Sequence, residues 1–257
     1  MSTALSRESL IAALVAALGE GPDVDAAWEG GSAAFGNVDA WSDIDAVAVV
    51  ADDAVDRTFE RVQAALEALS PVTLRYDTPA TVGFAQKFYR LRDAGDFLMV
   101  DLVLLRRSDP LMFREVELHG HGTTWFDRRG LLVEAHVDAQ ADAAAAAARV
   151  QGLATHFRMF QPLVVKEGLR GRAVDAMAFY QAMTLRPLAE ALRLLHRPAR
   201  RNFGLRYLWL DLPAEDARRF ERLAFVADLE DLKAKHAEAV AWFEYCIEKL
   251  EAAVPDR

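Results

Sequence analysis

Two short apolar runs constrain this chain most. Residues 44–50 (IDAVAVV) and 97–105 (FLMVDLVLL) are rich in β-branched and large aliphatic side chains and nearly continuous in them. Runs of that length and texture read as strands buried on both faces, the second continuous enough to be central in a sheet. Each carries one acid where an apolar residue is expected: Asp45 at the start of the first run, with Asp43 two positions earlier, and Asp101 inside the second.

The elements around these runs alternate in period. Residues 6–18 read as a helix with Ser6 as N-cap and Gly19 and Gly21 as its stop. Residues 24–28 form a short strand, 55–69 a helix ending before Pro71, and 72–76 another strand. Residues 123–127 and 131–135 look like a hairpin turning at Gly130. Beyond residue 137 the texture becomes helical. An alanine-rich stretch (139–150) starts a long helix that Pro162 should kink or break. Residues 173–195, 214–227 and 229–254 supply further helices, the last capped by Asp228 with Leu232, Val240, Phe243, Ile247 and Leu250 on its apolar stripe. Phe157, Phe160, Phe179 and Tyr180 read as bundle core.

Charge changes at the same place. Residues 1–136 hold 12 Lys/Arg against 22 Asp/Glu, while residues 137–257 hold 18 against 17. The expectation is therefore an α/β domain with a mixed sheet over 1–136, followed by an all-α helical bundle over 137–257. With 53% hydrophobic and 27% charged residues in 257, the chain can bury a sizeable core. Its net charge of −9 argues against dedicated binding of duplex nucleic acid, which needs a basic excess. The single Cys246 excludes an internal disulfide and reads as a small buried hydrophobe. The uncharged run 9–19 is too short to span a bilayer, and no cleavage site follows it, so no membrane is expected and the cytoplasm is the default location.

The chemistry gathers in residues 30–45, GGSAAFGNVDAWSDID. A Gly30-Gly31-Ser32 turn opens a helix N-terminus, supplying backbone N–H groups and one hydroxyl of the kind phosphate oxygens require. Asp43 and Asp45, two apart at a strand start, leave one face. A neighbouring strand lies only about 4.8 Å away, so Asp101 can face the pair. Like charges in one place repel, and desolvating them costs several kcal/mol each on rough reckoning. A divalent cation removes both problems, and Mg²⁺ takes carboxylates together with phosphate oxygens.

Gly31-Ser32, ten intervening residues, then Asp43-Ile44-Asp45 before an apolar strand, with Asp101 on a later strand, resembles the signature of the DNA polymerase β-type nucleotidyltransferase superfamily. The helical second half resembles the C-terminal bundles of small bacterial members, the antibiotic (aminoglycoside or lincosamide) nucleotidyltransferases. The resemblance implies transfer of a nucleoside monophosphate, AMP from ATP by analogy, onto an acceptor hydroxyl with release of pyrophosphate. It implies two Mg²⁺ ions held by Asp43, Asp45 and Asp101, with Asp101 either completing the metal site or acting as base. Gly31 and Ser32 would contact the β/γ-phosphates. The acidic first domain suits a cationic small-molecule acceptor such as an aminoglycoside, and hence a role in antibiotic resistance.

Other residues admit two readings. Lys166, Arg170 and Arg172 around a Gly-punctuated junction either reach the triphosphate or form a solvated face, and Glu167 or Asp175 is a candidate general base. Arg200, Arg201 and Arg206 with Tyr207 and Trp209 suit either a short RNA end or a loop packed by its aromatics. His119 and His121 have metal-like spacing but no third ligand nearby, which favours a loop. Asp39 caps or solvates its loop. Two rival functions use the same residues: a minimal nucleotidyltransferase modifying a tRNA or partner protein, as toxin–antitoxin members do, and a non-catalytic nucleotide-binding protein.

Overall fold

The computed structural model describes residues 5–79, 83–109 and 112–253. It divides into two compact units, residues 1–136 and 137–257. Among the described residues no helix is long and apolar enough to cross a membrane.

The first unit is a six-stranded mixed sheet. Its strands are β1 (Val24–Glu29), β2 (Ile44–Val50), β3 (Val72–Asp77), β4 (Phe84–Leu91), β5 (Val100–Arg106) and β6 (Thr123–Asp127), in spatial order β3-β4-β5-β2-β1-β6. Only β2 and β5 run parallel; the other neighbours are antiparallel. The two apolar runs thus occupy the centre of the sheet, as their composition demands. The helices of this unit are α1 (Arg7–Glu20), α2 (Gly31–Ala34), α3 (Val55–Leu69) and α4 (Val116–His119).

Alternation along each strand sorts the side chains onto two faces. Ile44, Ala46, Ala48 and Val50 join Val100, Leu102 and Leu104 under α1 and α3, where Leu10, Leu14, Leu18, Phe59, Val62 and Leu66 complete the main core. On the opposite face Val47, Val49, Val103 and Leu105 pack with Trp28 into a smaller cluster. Asp45 and Asp101 precede that cluster on the same face, at the end of the sheet where it runs out.

Several elements depart from the sequence reading, among them β5, which is Val100–Arg106 rather than 97–105, and α9, which ends at Ala224 rather than 227. Ser6 caps α1, its Oγ accepting from Ser9 N at 3.2 Å, but the helix continues through Gly19 and stops at Gly21. Strand β4 was not expected, because its polar positions obscure the run FAQKFYRL. The hairpin after Gly130 is not formed: β6 pairs with β1, and residues 131–134 belong to no strand. The Asp127 carboxylate accepts the backbone N–H groups of Arg129, Leu131 and Leu132 (3.2, 3.0 and 2.8 Å). That turns the chain away from the sheet edge.

The second unit is helical: α5 (Ala139–Leu169), α6 (Ala173–Phe179), α7 (Arg186–His196), α8 (Leu208–Asp211), α9 (Ala214–Ala224) and α10 (Leu229–Ala252). The expected end of the last helix at Val254 lies outside the described residues. Phe157, Tyr180, Leu188, Phe243 and Cys246 are buried in its core, and the Phe157 and Phe243 rings stack at 3.6 Å between centroids. Pro162 does not break α5. Residues 180–185 join α6 to α7 through a wide π-type turn. Pro187, which lacks an N–H, leaves the Met183 carbonyl without its helical donor. The Gln161 amide replaces it at 2.9 Å, and its oxygen accepts from Thr184 Oγ1 at 2.8 Å.

Candidate active site

The site is built at one end of the two central strands. Register pairs Asp45 directly with Asp101 across the parallel β2–β5 ladder. In-register neighbours share a face, so the two carboxylates lie side by side on the face not covered by α1 and α3. Asp43 immediately precedes β2, and Ile44 N is tied to Met99 O at 2.9 Å, fixing the entry of the strand.

The Gly-Ser turn is folded against Asp45. Gly30 N donates to Asp45 O at 2.8 Å, and Gly31 has φ +54°. A Cβ on Gly31 would sit 1.6 Å from Asp45 Oδ2, so only glycine admits the carboxylate. The next residue, Ser32, opens α2 with its Oγ buried and without a hydrogen-bond partner among the described residues. Behind α2 the chain is braced by His121 N, which donates to Ala34 O at 2.8 Å. Gly120 makes this possible with φ +72° and a Cβ position only 2.5 Å from that oxygen. Asp39 closes the loop before Asp43, accepting from Trp41 N and Ser42 Oγ at 3.0 and 2.9 Å.

Electrostatics single out Asp101. Both its oxygens accept from the Gln86 amide at 2.8 and 2.9 Å. Burial pushes its carboxyl up to about 6, against the pull of Gln86, and the charge of Asp43 adds to the rise. Gln86 lies on β4, one of the functional residues that sequence reasoning missed. Its signal was there in the alternation Phe84, Gln86, Phe88. Arg7 and Glu29 were missed as well. They form a part-buried ion pair next to the site, and Arg7 Nη2 also approaches Asp43 O at 3.4 Å.

Among the described residues no three His, Cys, Asp or Glu side chains are gathered into a metal-holding group. Asp45 and Asp101 are in register, Gln86 holds Asp101, Asp45 lies against Gly31, and the charge of Asp43 is felt at Asp101. The donor set nevertheless suits a hard divalent cation, being all carboxylate oxygen, with one acid that burial leaves reluctant to ionise and an orphaned hydroxyl beside it.

The remaining candidates sit in the second unit. Lys166, Arg170 and Arg172 surround the buried Glu167, at 4.0, 2.6 and 3.2 Å respectively. Burial alone would raise Glu167, but the two guanidiniums outweigh it and hold the carboxyl below its ordinary range. A carboxylate so held is a weaker proton acceptor than a free one. Two members of the Arg200 cluster are packed inward: Arg200 pairs with the buried Asp211 at 2.7 Å and lies over the Phe203 ring, while Arg201 pairs with Asp142 at 2.6 Å. Arg206 stacks on Tyr207 at 4.8 Å. In the first unit, His121 pairs with Glu134 at 2.6 Å and His119 packs edge-on against Phe113, so they ligate nothing together.

No family model matches the sequence, and no curated protein matches it. Among solved structures the chain is similar to an aminoglycoside 6-adenyltransferase from Bacillus subtilis, at 13% identity over 96% of this chain and 91% of that one, with a TM-score of 0.40. It is also similar to a nucleotidyltransferase-like protein from Exiguobacterium sibiricum, at 14% identity over 95% and 75% of the two chains and a TM-score of 0.38.

Proposed function

We propose that the protein is a nucleotidyltransferase that moves a nucleoside monophosphate, AMP from ATP, onto the hydroxyl of a small-molecule acceptor with release of pyrophosphate. One observation carries this reading. Asp45 and Asp101 are in register on the open face of the sheet, and the Gly31-Ser32 turn is folded directly against Asp45. Carboxylates and a phosphate-type turn thus share one corner, in the same unit and from three separate stretches of chain.

The residues divide the work by position. The N–H groups at the start of α2 and the orphaned Ser32 hydroxyl receive the β- and γ-phosphate oxygens. Asp43, Asp45 and Asp101 would hold Mg²⁺, two ions in this reading, which when bound neutralise charge on the attacking and leaving oxygens. The acceptor oxygen forms a bond to the α-phosphorus as the bond to the bridging β-phosphate oxygen breaks, and pyrophosphate departs with that electron pair. Asp101 either completes that metal site or accepts the hydroxyl proton.

The acceptor we favour is a cationic, aminoglycoside-type compound, because residues 1–136 carry a net −10. Modification of a tRNA or partner protein drew its support from the Arg200 cluster, of which Arg200 and Arg201 are engaged internally while Arg206 and Trp209 are exposed. The test is incubation of the protein with Mg²⁺, α-labelled ATP and an aminoglycoside panel. Labelled acceptor and pyrophosphate are expected, with Asp43→Asn and Asp101→Asn reducing the rate at least ~10³-fold, the scale for losing charge stabilisation in phosphoryl transfer. Full activity in both variants would end the proposal.

A further inference from the structure

We infer that Tyr76 and Phe88 form the acceptor subsite, a ledge that selects an acceptor whose reacting hydroxyl is carried on a ring with an apolar face. The inference rests on the nucleotidyl-transfer reading and adds specificity residues to it.

Register places four residues in one transverse row: Tyr76 opposite Phe88 on β3–β4, Phe88 opposite Asp101 on β4–β5, and Asp101 opposite Asp45 on β5–β2. Directly paired residues share a face, so the row lies wholly on the face that α1 and α3 leave open. Two contacts confirm it: Gln86, two residues before Phe88, reaches Asp101, and the Tyr76 and Phe88 rings meet at 6.2 Å between centroids. The order across the sheet is therefore Gly31-Ser32, Asp45, Asp101, Phe88, Tyr76.

In-line displacement gives that order a meaning. The attacking and leaving oxygens lie on opposite sides of the α-phosphorus. Pyrophosphate belongs with Gly31 and Ser32 on the Asp45 side, so the acceptor enters from the Asp101 side, where the row continues into Phe88 and Tyr76. Strand spacing puts the Tyr76 backbone about 10 Å from that of Asp101, the reach of one or two sugar-sized rings. Tyr76 is 61% exposed and Leu74, on the same face, 64%, although both sit on an edge strand where charged residues are the usual protection. Two adjoining rings tilted by 34°, the outer one exposed and the inner one half-buried, offer a surface for stacking against the CH face of a saturated ring.

Saturation-transfer NMR with methyl β-D-glucopyranoside as the probe tests this. The wild-type chain should transfer saturation to the axial ring protons, Tyr76→Ala should lower the signal at least fivefold, and Tyr76→Phe should retain it. Because Tyr76 is exposed, its variants should fold; their melting temperatures and their stabilisation by Mg²⁺ with a methylene ATP analogue should match wild type. Absence of transfer to the sugar ring in the wild type, or equal transfer in Tyr76→Ala, overturns the inference. Failure of the ATP analogue to stabilise the wild type counts instead against nucleotidyl transfer, leaving the ledge to be judged on the sugar signal.

Discussion

The helical unit and the sheet unit both bury carboxylates, and they treat them in opposite ways. In the helical unit Asp211 lies between Arg193 and Arg200, each at 2.7 Å, with all three side chains almost fully buried. In the sheet unit Asp101 faces a neutral amide and feels a second acid. The sheet unit can match an acid when stability alone is at stake: Asp25, buried on β1, takes Arg107 at 2.6 Å and Arg129 at 3.4 Å. Structural acids here are neutralised by guanidinium groups. At the end of β5, Asp101 has an amide rather than a guanidinium against it.

The largest effect should come from breaking a matched acid. Asp211→Ala leaves two buried guanidiniums without their partner and should destabilise the protein by about 3–5 kcal/mol in urea unfolding. A loss below about 1 kcal/mol would mean that Asp211 is not the structural counter-charge. Next comes the turn. Gly31→Ala places a methyl group on Asp45 and strains a left-handed residue, for a loss of about 2 kcal/mol or more. In an Asp45→Ala background the steric part should vanish and roughly 1 kcal/mol of backbone strain remain.

A smaller effect of opposite sign is expected at Asp101. Its folded carboxyl titrates at about 6 against an ordinary 3.8, so the folded state holds the proton more tightly than the unfolded chain. Stability contributed by that proton is present below about pH 4 and is lost as pH rises to about 6. Two pH units correspond to roughly 3 kcal/mol, which partial exposure reduces to about 1–2. Asp101→Asn should therefore stabilise the metal-free protein by about 1–2 kcal/mol at pH 8 and by almost nothing at pH 4, while abolishing transfer. The smallest effect concerns Cys246, whose thiol burial pushes up to about 12. Native protein at pH 8 should resist iodoacetamide and react only in denaturant.

The contrast also explains what the sequence discloses. IDAVAVV and FLMVDLVLL announce central strands because buried parallel strands carry no alternation, and their aspartates stand out against that background. Gly31 and Ser32 were legible as a phosphate-type turn, though the reason glycine is required, the approach of Asp45, emerges only from tertiary packing. Strand β4 was hidden because its helix-facing side carries Lys87 and Tyr89, which blur the pattern of Phe84, Gln86 and Phe88. With β4 hidden, Gln86 and the Tyr76–Phe88 row were hidden too. The wide turn at residues 180–185 depends on Gln161, nineteen positions away from its start, and no local propensity reports that. Arg200 read equally as ligand or structure until Asp211 appeared beside it.

The central claim is that the carboxylates of Asp43, Asp45 and Asp101 receive a divalent cation. It is tested most directly by the melting temperature of wild type and Asp101→Asn at pH 8 across a MgCl₂ series, with ionic strength held constant by NaCl. The account predicts a saturable rise in the wild type that is absent or strongly weakened in Asp101→Asn. Equal responses in the two proteins, or no response in the wild type, would contradict it.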